Sequence, residues 1–442
     1  MTRRHGYALL TAIVALIVVV SAAIYAGIAS GTGRLTAPAA GRAPGHSAAP
    51  VSSGTWVATW ATSPAAAEPG TAINGMAGRS VRNVVHTSVA GTSARITLSN
   101  LYGQAPLNVT HASIAVAAGD ATAAAATRTM RRLTFAGARS VVVPAGGQVT
   151  SDSVRIAVPR GGDVLVTTYA PTSSGPVTYH PHARQISYVA QGDRTEDVTG
   201  TPYTERTSVW RYLTSLDVLS DEAEGTVVVL GDSITDGVTA TVSADRRWTD
   251  VLSGRLWAAV EDGRDVPRYS VVNEGISGNQ VLADGLGRPS DNPSGLSRFE
   301  RDVLERTGAK VVVIDLGIND ILRNPRLADP QRITGGLRTL VTRAHARGLK
   351  VVGATLMPFE GHRGYTPARD AVRQQVNAEI RSGQVFDAVV DFDRALRDPY
   401  APRRLRGDYD SGDHLHPSDL GYREMAEVFE LKLLRKAGQA QL

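Results

Sequence analysis

Between residues 226 and 390, short apolar runs alternate with longer stretches of helical pattern, and this alternation constrains the fold more than any other feature of the chain. The runs span 226–230 (TVVVL), 270–272, 311–314, 350–354 and 388–390. A strand that is apolar at every position must be covered on both faces, as the strands of a parallel sheet are. The stretches 248–260, 296–306, 333–347 and 367–381 carry helical patterns, and a last helix is predicted after Pro417. Such alternation predicts a parallel sheet with right-handed crossovers. Its working residues then belong on loops beyond the carboxyl ends of the strands.

Upstream the pattern differs. Arg95-Ile96-Thr97-Leu98 alternates polar and apolar, as 154–158 does more loosely, while 141–143 and 164–166 are short apolar runs near Pro or Gly. Repeated short strands without long helical patterns predict a β-sandwich or jelly-roll-like domain over 54–200, ahead of an α/β domain over 224–442. Residues 1–30 begin with Arg3 and Arg4 and continue into a nearly unbroken apolar segment. That is the pattern of a signal peptide or an N-terminal membrane anchor, and both put the remainder outside the cytoplasmic membrane. Residues 31–53 are rich in Ala, Gly, Pro and Ser and read as a flexible linker.

The 442 residues include no cysteine, which excludes disulfides, thiolate metal sites and a cysteine nucleophile. The net charge of +5 is concentrated in the first fifty residues, where Arg3, Arg4, Arg34 and Arg42 stand without a single Asp or Glu. No basic stripe remains elsewhere, so a nucleic-acid partner is not expected.

Four loops carry chemistry. The first apolar run ends in Gly231-Asp232-Ser233-Ile234-Thr235-Asp236-Gly237. A serine here either caps a helix or faces a cleft as a nucleophile. The segment is not the nucleophile elbow of α/β-hydrolases, which needs Gly where Thr235 stands. The second run leads into Asn273-Glu274-Gly275-Ile276-Ser277-Gly278-Asn279, where Gly278 can present a bare backbone N–H. The third leads into Gly317-Ile318-Asn319-Asp320, with Asn319 either a donor into the same cleft or an Asx-turn residue. Near the end stands Asp413-His414-Leu415-His416-Pro417. A carboxylate three residues before a histidine can fix its tautomer and leave the other ring nitrogen as base. His414 is the rival base, and Asp413, His414 and His416 together are an alternative metal set.

Taken together the four loops resemble the conserved blocks of the SGNH/GDSL hydrolases, with Ile234 standing where that family has leucine. The likeness spans about 227–421. It implies a flavodoxin-like three-layer α/β domain and a serine carboxylic-ester hydrolase working through an acyl-enzyme. It implies Ser233, His416 and Asp413 as catalytic residues, and the N–H groups of Ser233 and Gly278 with the Asn319 amide as the oxyanion hole. No metal or organic cofactor is implied. The expected substrates are acetylated carbohydrate, or short-chain or lipid esters. Two other readings compete: a glycan-binding surface protein on a degenerate hydrolase fold, and a metal-dependent phosphoesterase using Asp232, Asp236 and Asp320.

Overall fold

The run ending at Gly231 forms the strand Gly225–Gly231, buried along its whole length. Tyr269–Gly275 and Ala309–Asp315 pair with it in parallel, one on each side. Their registers bring Gly275 and Asp315 level with Gly231. Lys350–Ala354 and Ala388–Val390 extend the sheet beyond Ala309–Asp315. Numbered along the chain, the five strands lie in the order 2-1-3-4-5. Crossovers on either side of the first strand therefore travel in opposite directions, and right-handedness sends them to opposite faces. The crevice that opens beside the first strand's carboxyl end is the general ligand position of such sheets. A computed structural model describes residues 54–435. The predicted N-terminal signal or anchor and the linker over 31–53 lie outside the described residues. Among the described residues no helix is long and apolar enough to cross a membrane.

The helices follow their local signals. Pro330–Ala346 starts behind Asp329, whose side chain accepts the Gln331 N–H. Pro367–Arg381 starts behind Thr366, which accepts from Arg369. Proline in the first turn suits both, because its missing N–H has no helical partner there. Trp248–Glu261 packs on Asp419–Val428, and Pro330–Ala346 packs on Pro367–Arg381. The helix expected over 296–306 is α only from Gly295 to Phe299 and then widens into a π turn, Glu300–Leu304. A π turn re-aims side chains, and here Arg298 and Asp302 are both fully buried and paired with each other.

The strand-rich region contains two large antiparallel sheets. One orders Thr55–Ala61, Leu213–Ser220, Gly91–Ser99 and Val154–Val158, with Gln148–Thr150 also on Gly91–Ser99. The other orders Glu205–Thr207, Ser187–Gln191, Arg79–His86, Asp163–Ala170, His111–Val116 and Arg131–Arg132. Ile96, Leu98, Leu216 and Val218 from the first share a core with Val81, Val85, Val164 and Val166 from the second. The region does not stop at residue 200, because Leu213–Ser220 returns between the first strand and Gly91–Ser99. A small third sheet joins Ala66–Ala67, Thr178–His180 and Trp210–Arg211.

The strand-rich and α/β regions share surfaces. Trp257 of the helix Trp248–Glu261 enters the strand core, Ala58 and Ala61 enter the α/β core, and Ala58 N–H donates to Thr307 O at 3.1 Å. Within the α/β core, Trp248 meets Phe392 edge-on at 5.4 Å and stacks on Phe429 at 6.3 Å. Replacing the fully buried Phe392 by alanine is expected to lower unfolding free energy by about 3–5 kcal/mol. Urea denaturation measures this, and a wild-type midpoint would contradict the packing.

Candidate active site

The strand Gly225–Gly231 runs directly into a four-residue helix, Ser233–Asp236. Asp232 caps it by accepting the Ile234 N–H at 3.0 Å, and Gly237 closes it at φ +89°. Gly231 leaves room for this tight turn, since a Cβ there would lie 2.2 Å from Thr235 Oγ1. Ser233 emerges at the carboxyl edge of the sheet, 7% exposed. The loop before the last helix comes back over it. His416 Nε2 lies 2.8 Å from Ser233 Oγ, and His416 Nδ1 lies 2.6 Å from Asp413 Oδ2. Asp413 Oδ1 accepts the backbone N–H groups of Leu415 at 2.9 Å and His416 at 2.8 Å. Burial opposes ionisation of Asp413, but the hydrogen bonds from His416 outweigh it and hold the carboxyl down at about 2. A carboxylate on Nδ1 keeps that nitrogen protonated, so Nε2 offers a lone pair to the serine hydroxyl.

Two further loops leave the same row of strand ends. Gly278 stands in the left-handed region at φ +77°, and a Cβ there would lie 1.9 Å from Arg323 Nη2. Among the described residues, neither the Ser233 N–H nor the Gly278 N–H donates to another protein group. Asn319 lies in the short helix Ile318–Leu322, and its Nδ2 donates to Asp232 Oδ2 at 3.2 Å. An amide nitrogen carries two hydrogens, so this bond fixes the group and leaves the second hydrogen for a ligand. Burial, reinforced by Asp315, pushes Asp232 well above the usual carboxylate range. Asp315, which accepts the Thr235 hydroxyl at 2.9 Å, is pushed by burial to about 6.

The other sequence candidates fall elsewhere. His414, at φ +64°, turns its Nδ1 to Asp410 at 2.6 Å, and its ring packs over Gly361. The three aspartates of the phosphoesterase reading serve separate partners. Asp232 holds Asn319, Asp320 accepts the N–H groups of Val281 and Leu282, and Asp236 faces His180 and Ser277. Among the described residues, the set of three that could hold one ion is His86, Asp163 and Asp245, not any of these. His86 Nδ1 already sits 3.0 Å from Asp163 and 3.2 Å from Asp245. His345 is half-exposed at a helix end beside Asp387. His362 Nδ1 accepts the Gly364 N–H at 3.1 Å, and burial lowers the pKa of its ring even though Asp413 is near. Sequence reasoning missed His180 and Arg298, which lie in a three-residue strand and a distorted helix with no motif around them.

A family model of GDSL-like lipases and acylhydrolases matches residues 229–424. No curated protein matches the chain. Solved structures that match part of the chain include an acetylxylan esterase from Geobacillus stearothermophilus, 22% identical over 48% of this chain and 96% of its own, TM-score 0.36. A GDSL-like lipase from Bacteroides thetaiotaomicron is 21% identical over 48% of this chain and 88% of its own, TM-score 0.33. A member of the lipolytic G-D-S-L family from Veillonella parvula is 19% identical over 46% and 94%, TM-score 0.35.

The raised Asp315 has a consequence for stability. A carboxyl whose folded pKa lies above its unfolded value stabilises the fold below the unfolded pKa and loses that contribution as pH rises through the folded one. For Asp315 the window runs from about 4 to about 6. Asp315→Asn keeps an acceptor for Thr235 and cannot ionise. Its stability relative to wild type is expected to rise by about 1–3 kcal/mol between pH ~4 and pH ~8. Thermal melts at both pH values decide this, and a constant difference would refute it.

Proposed function

We propose that the chain is a carboxylic-ester hydrolase of the GDSL-like lipase/acylhydrolase family, whose model matches residues 229–424, and that it works through an acyl-enzyme formed on Ser233. The observation that carries this reading is the continuous hydrogen-bond chain from Asp413 through His416 to Ser233 Oγ. As Ser233 Oγ attacks the ester carbonyl, its proton passes to His416 Nε2. The carbonyl oxygen, now an oxyanion, accepts from the N–H groups of Ser233 and Gly278 and from the free amide hydrogen of Asn319. The imidazolium is stabilised by Asp413 and gives its proton to the leaving alcohol oxygen as the C–O bond breaks. Water then attacks the acyl-enzyme, losing its proton to His416, and Ser233 leaves re-protonated with the acid released. No step calls on a metal or an organic cofactor.

The substrate is read as acetylated carbohydrate, or as short-chain or lipid esters. The apolar segment behind Arg3 and Arg4 supports action outside the cytoplasmic membrane, secreted or tethered. Two antiparallel sheets around one core support a β-sandwich reading of the strand-rich region. The intact hydrogen-bonded set favours turnover over a purely glycan-binding role.

Ser233→Ala is expected to abolish hydrolysis of an aryl acetate, and a purified variant with wild-type turnover would overturn the assignment. Asn319→Ala is expected to keep the fold and lose about 10²–10³ in kcat, as removal of one oxyanion donor does. A kcat within threefold of wild type would remove Asn319 from the hole. His416→Ala is expected to lose far more than His414→Ala, and the opposite ranking would exchange their roles.

A further inference from the structure

His180 ends the three-residue strand Thr178–His180 in the strand-rich region, yet it reaches the nucleophile's turn. The ring is 3% exposed. Its Nδ1 lies 2.9 Å from Ser63 O and its Nε2 lies 3.0 Å from Asp236 Oδ1. A carbonyl oxygen only accepts, so Nδ1 donates to Ser63. Asp236 is 2% exposed and accepts with both oxygens, so Nε2 donates to it as well. The second oxygen of Asp236 takes the Ser277 N–H at 3.0 Å and the Ser277 hydroxyl at 2.5 Å. Burial alone would raise Asp236, yet His180 and Ser277 hold it below the usual carboxylate range. Asp236 is the last residue of the helix that begins with Ser233, and Ser277 immediately precedes Gly278. The ring itself is held by Trp210, whose centroid is 5.6 Å away and whose Nε1 donates to Val84 O at 2.8 Å.

We propose that His180 is a positioning residue for ester hydrolysis: acting through Asp236 and Ser277, it holds the Gly278 N–H at a fixed place relative to Ser233. This rests on the acyl-enzyme reading above. The strand-rich region is then part of the catalytic apparatus, because it supplies the donor that locks two α/β loops to each other. A purely structural histidine would be expected to change stability and leave turnover per folded molecule alone. A positioning residue changes kcat, because a displaced N–H loses more of its bond to the transition-state oxyanion than of any contact to bound substrate.

The test uses the full chain and an aryl acetate, comparing wild type, His180→Ala, His180→Gln, Ser277→Ala, the His180→Gln/Ser277→Ala double variant and Ser233→Ala. Folded fraction is measured by circular dichroism and melting. His180→Ala is expected to lose about 10²-fold in kcat with KM within threefold. His180→Gln retains an N–H donor able to approach Asp236 and is expected to recover about tenfold of that loss. Ser277→Ala is expected to lower kcat, and its effect in the His180→Gln background is expected to be smaller than in wild type, since both act on one chain of bonds. A kcat per folded molecule within twofold of wild type in His180→Ala overturns the proposal, as does a loss confined to KM. If His180→Ala does not fold, the milder pair decides: additive effects of His180→Gln and Ser277→Ala overturn it, and coupled effects support it. Wild-type turnover in Ser233→Ala overturns the underlying reading instead, whereas an inactive Ser233→Ala beside an unimpaired His180→Ala overturns this inference alone.

Discussion

Arg298 is fully buried, and its guanidinium donates to Gly231 O, Glu274 O, Asn279 Oδ1, Ser63 Oγ and Asp302 Oδ2. Those acceptors belong to the central strand end, its neighbour, the glycine loop, the strand-rich region and the distorted helix. A buried cation is tolerated only when it is paired and its hydrogens are used, and here both conditions are met by groups that must come together to form the crevice. Removing the guanidinium would strand several buried acceptors at once, each at about 1–3 kcal/mol. The geometry around Ser233 thus depends on an ion that touches no reacting atom. Asp302 pairs with it from one helical turn further along the chain.

Ser63 widens this network into the strand-rich region. Its hydroxyl donates to Glu274 Oε2 at 2.7 Å and accepts from Arg298, while its carbonyl accepts from His180. One residue from the first part of the chain therefore serves both the cation beneath the sheet edge and the histidine beside the nucleophile's turn. Such buried polar bonds are specific in direction, unlike apolar contact. They fix how the strand-rich region sits against the α/β sheet as well as that it does.

What could be read from the sequence follows from the range of each interaction. The five parallel strands were legible because burial of their central positions leaves short runs of Val, Leu and Ile, as in 227–230 and 311–314. The Asp413–His416 bond was legible because it spans three residues. Its contact with Ser233 bridges 183 residues and was reached only through the ensemble of four loops. The strand Leu213–Ser220 escaped because it lies between the two regions read as domains, and Thr214, Ser215 and Asp217 interrupt its apolar residues. The helix at 296–306 was placed correctly, but nothing in SRFERDVL announces a π turn. His180 and Asp236 are 56 residues apart in different kinds of structure, and the tripeptide Thr178-Tyr179-His180 carries no signal of that pairing.

The carboxyl groups near Ser233 lie in opposite electrostatic regimes, and the division suits the proposed chemistry. Asp413 is held ionised by N–H donors and sits behind His416, where a positive charge forms. Asp232 lies on the far side, bonded to the amide of Asn319 where negative charge would develop. An ionised Asp232 would repel the oxyanion through a low-dielectric interior, where unit charges interact far more strongly than in water. Burial and Asp315 push Asp232 in the other direction, reducing that repulsion while its oxygen still accepts from Asn319. Burial that opposes charge on Asp232 thus lessens negative charge beside the proposed oxyanion, while Asp413 supplies the counter-charge behind His416.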